Sequence, residues 1–286
     1  ILNQTPGSFL KILNIDSKYP DKYLPLRKII FGGEKLDAVK LKPWIDKYKK
    51  NKNQLINMYG ITETTVHVTY HPITTADTST INNIGKPIAD LKSYILDHNN
   101  NLKPQGVPGE LHISGDGLAR GYLNRDDLTK EKFIPNPFAT QEDKKNGTNL
   151  RMYKTGDLAR WLEDGNIEYL GRIDNQVKIR GFRIEIGEIE SELNRHQKIV
   201  NNVVVVQEKE DDKRLICFYV SEGNQVSSRA IEVNTDDLRD HLKEKLPDYM
   251  IPVAFVPILE IPLTPNGKVN RKKLEQREVE IKSSRE

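Results

Sequence analysis

Apolar residues change their spacing twice along this chain, and each change marks a different kind of architecture. In the first stretch, Leu26-Arg27-Lys28-Ile29-Ile30-Phe31 is a short buried-strand candidate ending at Gly32-Gly33, and Gln54 to Tyr59 is a second strand that stops at Gly60. Between them, in the lysine-rich stretch from Asp37 to Lys52, Val39, Leu41, Trp44, Ile45 and Tyr48 fall near helical spacing. Strand, helix, strand predicts a parallel-sheet unit. Its ligand crevice opens beyond the carboxyl ends of the strands, where both glycine stops lie.

From Ile84 to Leu170 the pattern shortens to brief strands broken by Asn99-Asn100-Asn101, Pro104, Gly106, Pro108-Gly109 and Gly115. Turn chemistry at such short intervals predicts a small barrel or distorted sheet. The polar stretch Ala139 to Asn149 reads as a surface loop. Beyond Asp174, Ile186, Ile189 and Leu193 mark a helix, and Val203 to Val206 and Leu215 to Val220 mark strands. Leu238, Leu242 and Leu246 mark a second helix, with Thr235 or Asp236 as its cap. The expected class is therefore α/β (α+β). Residues 1–173 form one domain (a sheet unit 1–83 and a β-rich part 84–173), and 174–286 form a smaller one. The charged tail from Arg277 is expected to fray.

Composition removes several function classes. Lys and Arg number 44 against 41 Asp and Glu, a net charge of +3, too slight an excess to argue for nucleic acid or an anionic membrane. The one cysteine, Cys217, lies inside the apolar run Leu215 to Val220 and reads as a small buried hydrophobe, which fits a reducing cytoplasm. No apolar run approaches the roughly 18 residues that span a bilayer. His71, His98, His112, His196 and His241 lack metal-ligand spacing. The chain starts at Ile1 and runs directly into patterned sequence, as a piece cut from something longer would.

Chemistry concentrates in four places. Tyr153-Lys154-Thr155-Gly156-Asp157-Leu158 and Arg172-Ile173-Asp174-Asn175-Gln176-Val177-Lys178-Ile179-Arg180-Gly181 pack acids, bases and glycines between short apolar segments, which reads as a loop-borne site. Upstream stands Asn57-Met58-Tyr59-Gly60-Ile61-Thr62-Glu63, and near the end Leu263-Thr264-Pro265-Asn266-Gly267-Lys268. Together, and in this order, these segments resemble the second half of an adenylate-forming enzyme, specifically the adenylation domain of a nonribosomal peptide synthetase. The glycine- and hydroxyl-rich phosphate loop that precedes them in that family is absent, so the resemblance implies a C-terminal portion, inactive in isolation.

The resemblance implies a role for each residue. Tyr59 stacks on adenine, Asn57 satisfies its amino group, and Gly33 and Glu34 join them at the nucleotide. Thr62 holds phosphate oxygen and Glu63 ligates magnesium, a hard cation that takes one or two carboxylates plus phosphate oxygens. Asp157 accepts from the ribose hydroxyls, Arg172 assists, and Lys268 offsets the repulsion between substrate carboxylate and α-phosphate. Asp174 occupies the slot of the family's hinge, about which the domain carrying Lys268 rotates to present Lys178 to Gly181 to a thiol arm. Gly106 to Leu111 and Gly115 to Tyr122 also match a family motif, but their glycines read simply as tight turns and close backbone approach, with no catalytic role.

The implied reaction is ATP plus amino acid to aminoacyl-AMP and pyrophosphate, then thioesterification onto a phosphopantetheine carrier domain, with a condensation domain upstream. The implied pocket comprises Asn3, Ile30, Gly32, Met58, Val66 and His67, closed by Lys268, a set similar to that of threonine-activating domains. Ile30, Val66 and Met58 would narrow it around a short side chain, and Asn3 and His67 offer partners for one hydroxyl. Two alternatives stay open: an acyl-CoA or aryl-acid ligase of the same superfamily, and an incomplete fragment that only binds.

Overall fold

The computed structural model describes residues 1–49, 53–79, 82–174, 176–209, 212–222 and 232–279. The chain folds as two compact units, Ile1–Asp174 and Asn175–Glu286. The tail residues 280–286 and the helical expectation at 50–52 lie outside the described residues.

The first unit opens with strand β1 (Leu2–Gln4), helix α1 (Pro6–Asp16), strand β2 (Lys28–Phe31), helix α2 (Lys42–Tyr48) and strand β3 (Gln54–Asn57). β1, β2 and β3 run parallel. Alternation along β2 assigns its faces. Ile29 and Phe31 are buried under the helices, whereas Ile30 between them is only half-buried. Helix α1 begins where the Thr5 hydroxyl accepts from Ser8 N and Pro6 supplies a preset first turn. Its Phe9 meets Phe31 and Trp44 edge-on at 5.1 and 5.0 Å, and Trp44 stacks on Tyr48 at 4.0 Å. The expected helix between the strands is broken in two: a 3-10 turn, Ala38–Leu41, precedes α2, whose first turn contains Pro43. Val39 is consequently exposed rather than core.

The sheet then continues antiparallel through β4 (Thr69–Ile73), β5 (Asn83–Pro87), β6 (Leu91–Leu96), β7 (Gly109–Gly115), β8 (Phe133–Pro135), β9 (Arg151–Trp161) and β10 (Ile167–Arg172). Its path is β1-β2-β3-β4-β5-β10-β9-β7-β6, with β8 on β9, so the line drawn between 83 and 84 falls inside β5. Two short helices interrupt the strands, α3 (Asp126–Lys132) and α4 (Gln141–Asn146). Helix α4 lies in the stretch read as loop. Its polarity hides a capping box, in which the Thr140 hydroxyl accepts from Asp143 N and the Asp143 carboxylate from Thr140 N, leaving Asp143 buried. The segment Tyr153–Leu158, expected in a loop, is the middle of β9.

The second unit contains β11 (Val177–Ile179) and β12 (Phe182–Ile184), helix α5 (Ile186–Leu193), strands β13 (Ile199–Lys209) and β14 (Asp212–Ser221), helix α6 (Thr235–Lys243), strand β15 (Ala254–Pro257) and helix α7 (Arg271–Glu275). β13, β14 and β15 form one sheet with apolar clusters on both faces. That explains the unbroken valine run: Val204 joins Ile189, Leu193, Cys217, Leu238 and Leu242, while Val203 and Val205 join Ile216, Phe218 and Leu274. The cap of α6 is Asn234, not Thr235 or Asp236, its side chain accepting from Asp236 N. Cys217 is fully buried, and burial pushes its thiol well above the ordinary 9.0.

Ile189 has no exposed surface and belongs to the larger cluster. Ile189→Ala is expected to destabilise the second unit by about 2–5 kcal/mol, read as a lowered denaturant midpoint.

Candidate active site

The register of the parallel strands sets two of the residues expected at the amino-acid pocket, Asn3 and Ile30, side by side. Asn3 on β1 is paired with Ile30 on β2, which is paired with Ile56 on β3. Just past β2, a Cβ added to Gly32 would lie 3.4 Å from His67 Cε1 and 3.5 Å from the Met58 carbonyl, so Gly32, Met58 and His67 enclose a common space. Burial lowers the His67 pKa from its ordinary 6.5, and its Nδ1 has no hydrogen-bond partner. Val66 departs from expectation. It is 62% exposed, so it makes no tight wall here, and it holds φ at 73°, uncommon for a β-branched residue. Its neighbour across the loop explains why: a Cβ on Gly60 would lie 2.0 Å from the Val66 carbonyl oxygen, so the loop closes only over a glycine.

The same loop carries Thr62 and Glu63 in a 3-10 turn, Thr62–Thr64. Thr62 is exposed; Glu63 is buried, with its Oε1 accepting from the hydroxyls of Tyr122 at 2.6 Å and Tyr153 at 3.0 Å. Neither tyrosine has a role assigned from the sequence: Tyr153 opens the segment read for Asp157, and the segment ending at Tyr122 stands out for its glycines alone. Asn57, at the end of β3, donates through Nδ2 to the Asn83 carbonyl at 2.8 Å, which directs its own carbonyl oxygen away from that bond as an acceptor. After β2, Glu34 accepts from Gly7 N at 3.3 Å, tying the Gly33-Glu34 turn to the start of α1.

Asp157 is the most deeply held acid of the site, 3% exposed on β9 and directly opposite Arg172 on β10. Arg172 donates through Nη1 to Asp157 Oδ1 at 3.0 Å and to the Thr155 carbonyl at 2.6 Å, and through Nε to Asp174 Oδ1 at 2.8 Å, with Nη2 on Asp174 Oδ2. Tyr59 donates its hydroxyl to Asp157 Oδ2. Gly156 is required between them. It holds φ at +71°, and a Cβ there would lie 2.7 Å from Arg172 Nη2. Thr155 fixes the strand from below, donating to the Leu111 carbonyl at 2.7 Å and accepting from Asp157 N at 3.0 Å.

Electrostatics follow the geometry. Burial, then the Asp157 charge, pushes the phenols of Tyr59 and Tyr169 well above their ordinary 10.0, so both stay neutral donors. Burial alone would weaken the Arg172 cation, but hydrogen bonding to Asp174 and the charges of Asp157 and Asp174 raise its pKa above the ordinary value.

Lys268 belongs to the second unit, exposed in a tight hairpin where Leu263 bridges Val269 and Thr264 N donates to the Lys268 carbonyl at 2.7 Å. The hairpin is anchored by an ion pair to which the resemblance assigns no role. Arg271 grips Glu190 of α5 with both terminal nitrogens, at 2.8 and 3.1 Å, and donates to the Val204 carbonyl at 2.7 Å. Lys178 lies on β11, and Arg180 and Gly181 form the β11–β12 turn, with φ at 52° and 83°.

Residues 1–123 match the model of the AMP-binding enzyme family and residues 188–268 that of the AMP-binding enzyme C-terminal domain. The chain belongs to the AMP-binding enzyme family. It is similar to a dimodular nonribosomal peptide synthase of Bacillus subtilis (strain 168), 46% identical over 278 residues, 96% of this chain and 11% of that protein. It is also similar to bacitracin synthase 1 of Bacillus licheniformis, 51% identical over 251 residues, 87% of this chain and 4% of that one. Among solved structures, a holo NRPS protein containing adenylation and PCP domains, bound to a vinylsulfonamide inhibitor, superposes with TM-score 0.78 at 29% identity, over 95% of this chain and 44% of that chain. The chain thus spans less than half of that structure and a small fraction of the synthetases. Among the described residues no helix is long and apolar enough to cross a membrane, and no group of three or more His, Cys, Asp and Glu could hold a metal ion.

In this AMP-binding enzyme the Arg172 fork neutralises a carboxylate that burial would otherwise penalise. Arg172→Ala is expected to destabilise the first unit by about 3 kcal/mol, and Arg172→Lys to recover less than half of that, because one ammonium cannot bridge two acids. Denaturant unfolding of the variants reads both values.

Proposed function

We propose that this chain is the C-terminal part of an amino-acid adenylation domain acting in nonribosomal peptide synthesis. The observation that carries this reading is the buried Asp157 carboxylate held between Tyr59 and Arg172 beside the carboxyl ends of parallel strands. A fixed carboxylate there suits two vicinal ribose hydroxyls, and the Tyr59 ring, oriented by its hydroxyl, suits an adenine face. The Asn57 carbonyl oxygen would accept from the adenine amino group, with the Gly33-Glu34 main chain alongside.

The donor set at Glu63 and Thr62 is all hard oxygen and contains one carboxylate, which fits magnesium carried in with a triphosphate rather than a protein-built metal cage. When bound, the ion would supply charge neutralisation at the phosphates. The chemistry of the chain's own groups follows. The amino-acid carboxylate oxygen bonds to the α-phosphorus as the bond to pyrophosphate breaks, and the Lys268 ammonium offsets the repulsion between these anions. Asp174 would then act as the hinge, and a phosphopantetheine thiol on a carrier domain would displace AMP from the acyl carbon, losing its proton to form the thioester. A condensation domain upstream would consume that product.

Threonine is the proposed amino acid. Ile30 and Met58 would narrow the cavity around a short side chain, and Asn3 and His67 would offer polar partners for one hydroxyl. Serine is the competitor, since one methyl is worth about 1–3 kcal/mol.

Two outcomes are expected in the full polypeptide that carries this chain. Pyrophosphate exchange over a panel of amino acids should favour threonine over serine by about 10- to 200-fold, and a preference for an aromatic or acidic substrate would defeat the assignment. Asp174→Pro should slow thioester formation far more than adenylation, and equal effects would remove the hinge.

A further inference from the structure

Both tyrosines that reach Glu63 belong to an apolar cluster. Tyr153 clusters with Ile61 and Phe133, and Leu118, Ala119 and Tyr122 pack against that group. The ring of Phe133 lies against both tyrosines, with centroids at 5.8 Å from Tyr122 and 4.9 Å from Tyr153. Phenylalanines would fill these places equally well. The hydroxyls instead converge, from the loop before α3 and from β9, on one oxygen of a carboxylate carried by a third segment.

Each participant is fixed independently. The Glu63 carbonyl accepts from Ala119 N at 2.9 Å, and Tyr122 N donates to the Thr129 hydroxyl at 2.9 Å. The two phenolic oxygens are also 2.9 Å apart, so three close oxygen pairs share two hydroxyl protons. A charged Glu63 draws both protons to itself, since hydrogen bonds to an ionised acceptor are the stronger ones. The carboxylate is thereby left with a single orientation instead of the broad range its terminal torsion allows.

We propose that Tyr122 and Tyr153 are positioning residues that aim Glu63 at the metal of the incoming nucleotide. The proposal rests on the reading of Glu63 as that metal's carboxylate ligand. It extends that reading to the groups behind the ligand, whose loss elsewhere costs about 10- to 100-fold in metal affinity.

The test uses the full polypeptide with a non-hydrolysable ATP analogue and Mn2+ as probe, free and bound ion being separated by electron paramagnetic resonance. Tyr122→Phe and Tyr153→Phe are each expected to weaken Mn2+ binding about 10-fold, with thermal midpoints measured in parallel without metal. In a Glu63→Gln background neither change should weaken it further. If Glu63→Gln weakens Mn2+ binding while both tyrosine variants bind as the parent does, the tyrosines are packing only and the positioning role falls, with Glu63 retained. If Glu63→Gln itself leaves Mn2+ binding unaltered, the assignment of Glu63 falls as well.

Discussion

A single guanidinium between two carboxylates organises the first unit. Asp157 is buried on β9, where an unpaired charge would cost several kcal/mol, and Arg172 on the facing strand meets it in a pair that the sheet register itself supplies. The other edge of the same planar group holds Asp174, the last residue of the unit. An ammonium could serve one acid but not both, because the fork geometry lets parallel bonds form on one side while a third nitrogen reaches the other. The consequence reaches the chemistry. Whatever engages Asp157 does so against a carboxylate whose position is already set, and any movement of Asp174 must break bonds to the arginine that sets it.

Much of this is legible in the residues. Leu26 to Phe31 and Val203 to Val206 both read as strands, and strands are found there; which face each residue takes, with Ile29 and Phe31 buried and Ile30 half-buried, is given only by the structure. The motif residues assigned to the nucleotide, Tyr59, Asp157 and Arg172, meet in one hydrogen-bonded group. Where pattern misleads, the reasons are identifiable. Glycine and alternating charge disguise β9 as a loop, because inward Thr155 and Asp157 are polar residues satisfied by partners far away in sequence. Helix α4 is hidden by the polarity of its every residue, and only its capping box betrays it. Tyr122 is inconspicuous because the glycines dominate its segment, while the partner of its hydroxyl lies 59 positions away.

The second unit handles its exposed lysine differently. Lys268 stands on a hairpin with little side-chain packing of its own, and hairpins of that size have no stability in isolation. Its rigidity is borrowed. Asn270 caps α7 by accepting from Lys273 N, and Arg271 locks the start of that helix to α5 and β13 through Glu190 and the Val204 carbonyl. The root of the hairpin is therefore as firmly held as the core, while its tip presents an ammonium to solvent, an arrangement that suits a charge meant to meet its partner only part of the time.

The two carboxylates of the first unit's site show how one fold gives the same functional group two tasks. The charge of Asp157 is balanced by a cation, with a phenol donating to its other oxygen, which suits it to neutral hydroxyls such as those of a ribose rather than to a metal. The Oε1 of Glu63 is met by phenols, which orient a carboxylate without cancelling its charge and so preserve its attraction for a cation. Exchanging the two surroundings would exchange the tasks. On the proposed reading, it is the difference between an arginine and a pair of tyrosines, rather than the carboxylates themselves, that would separate the sugar-holding acid from the metal-holding one.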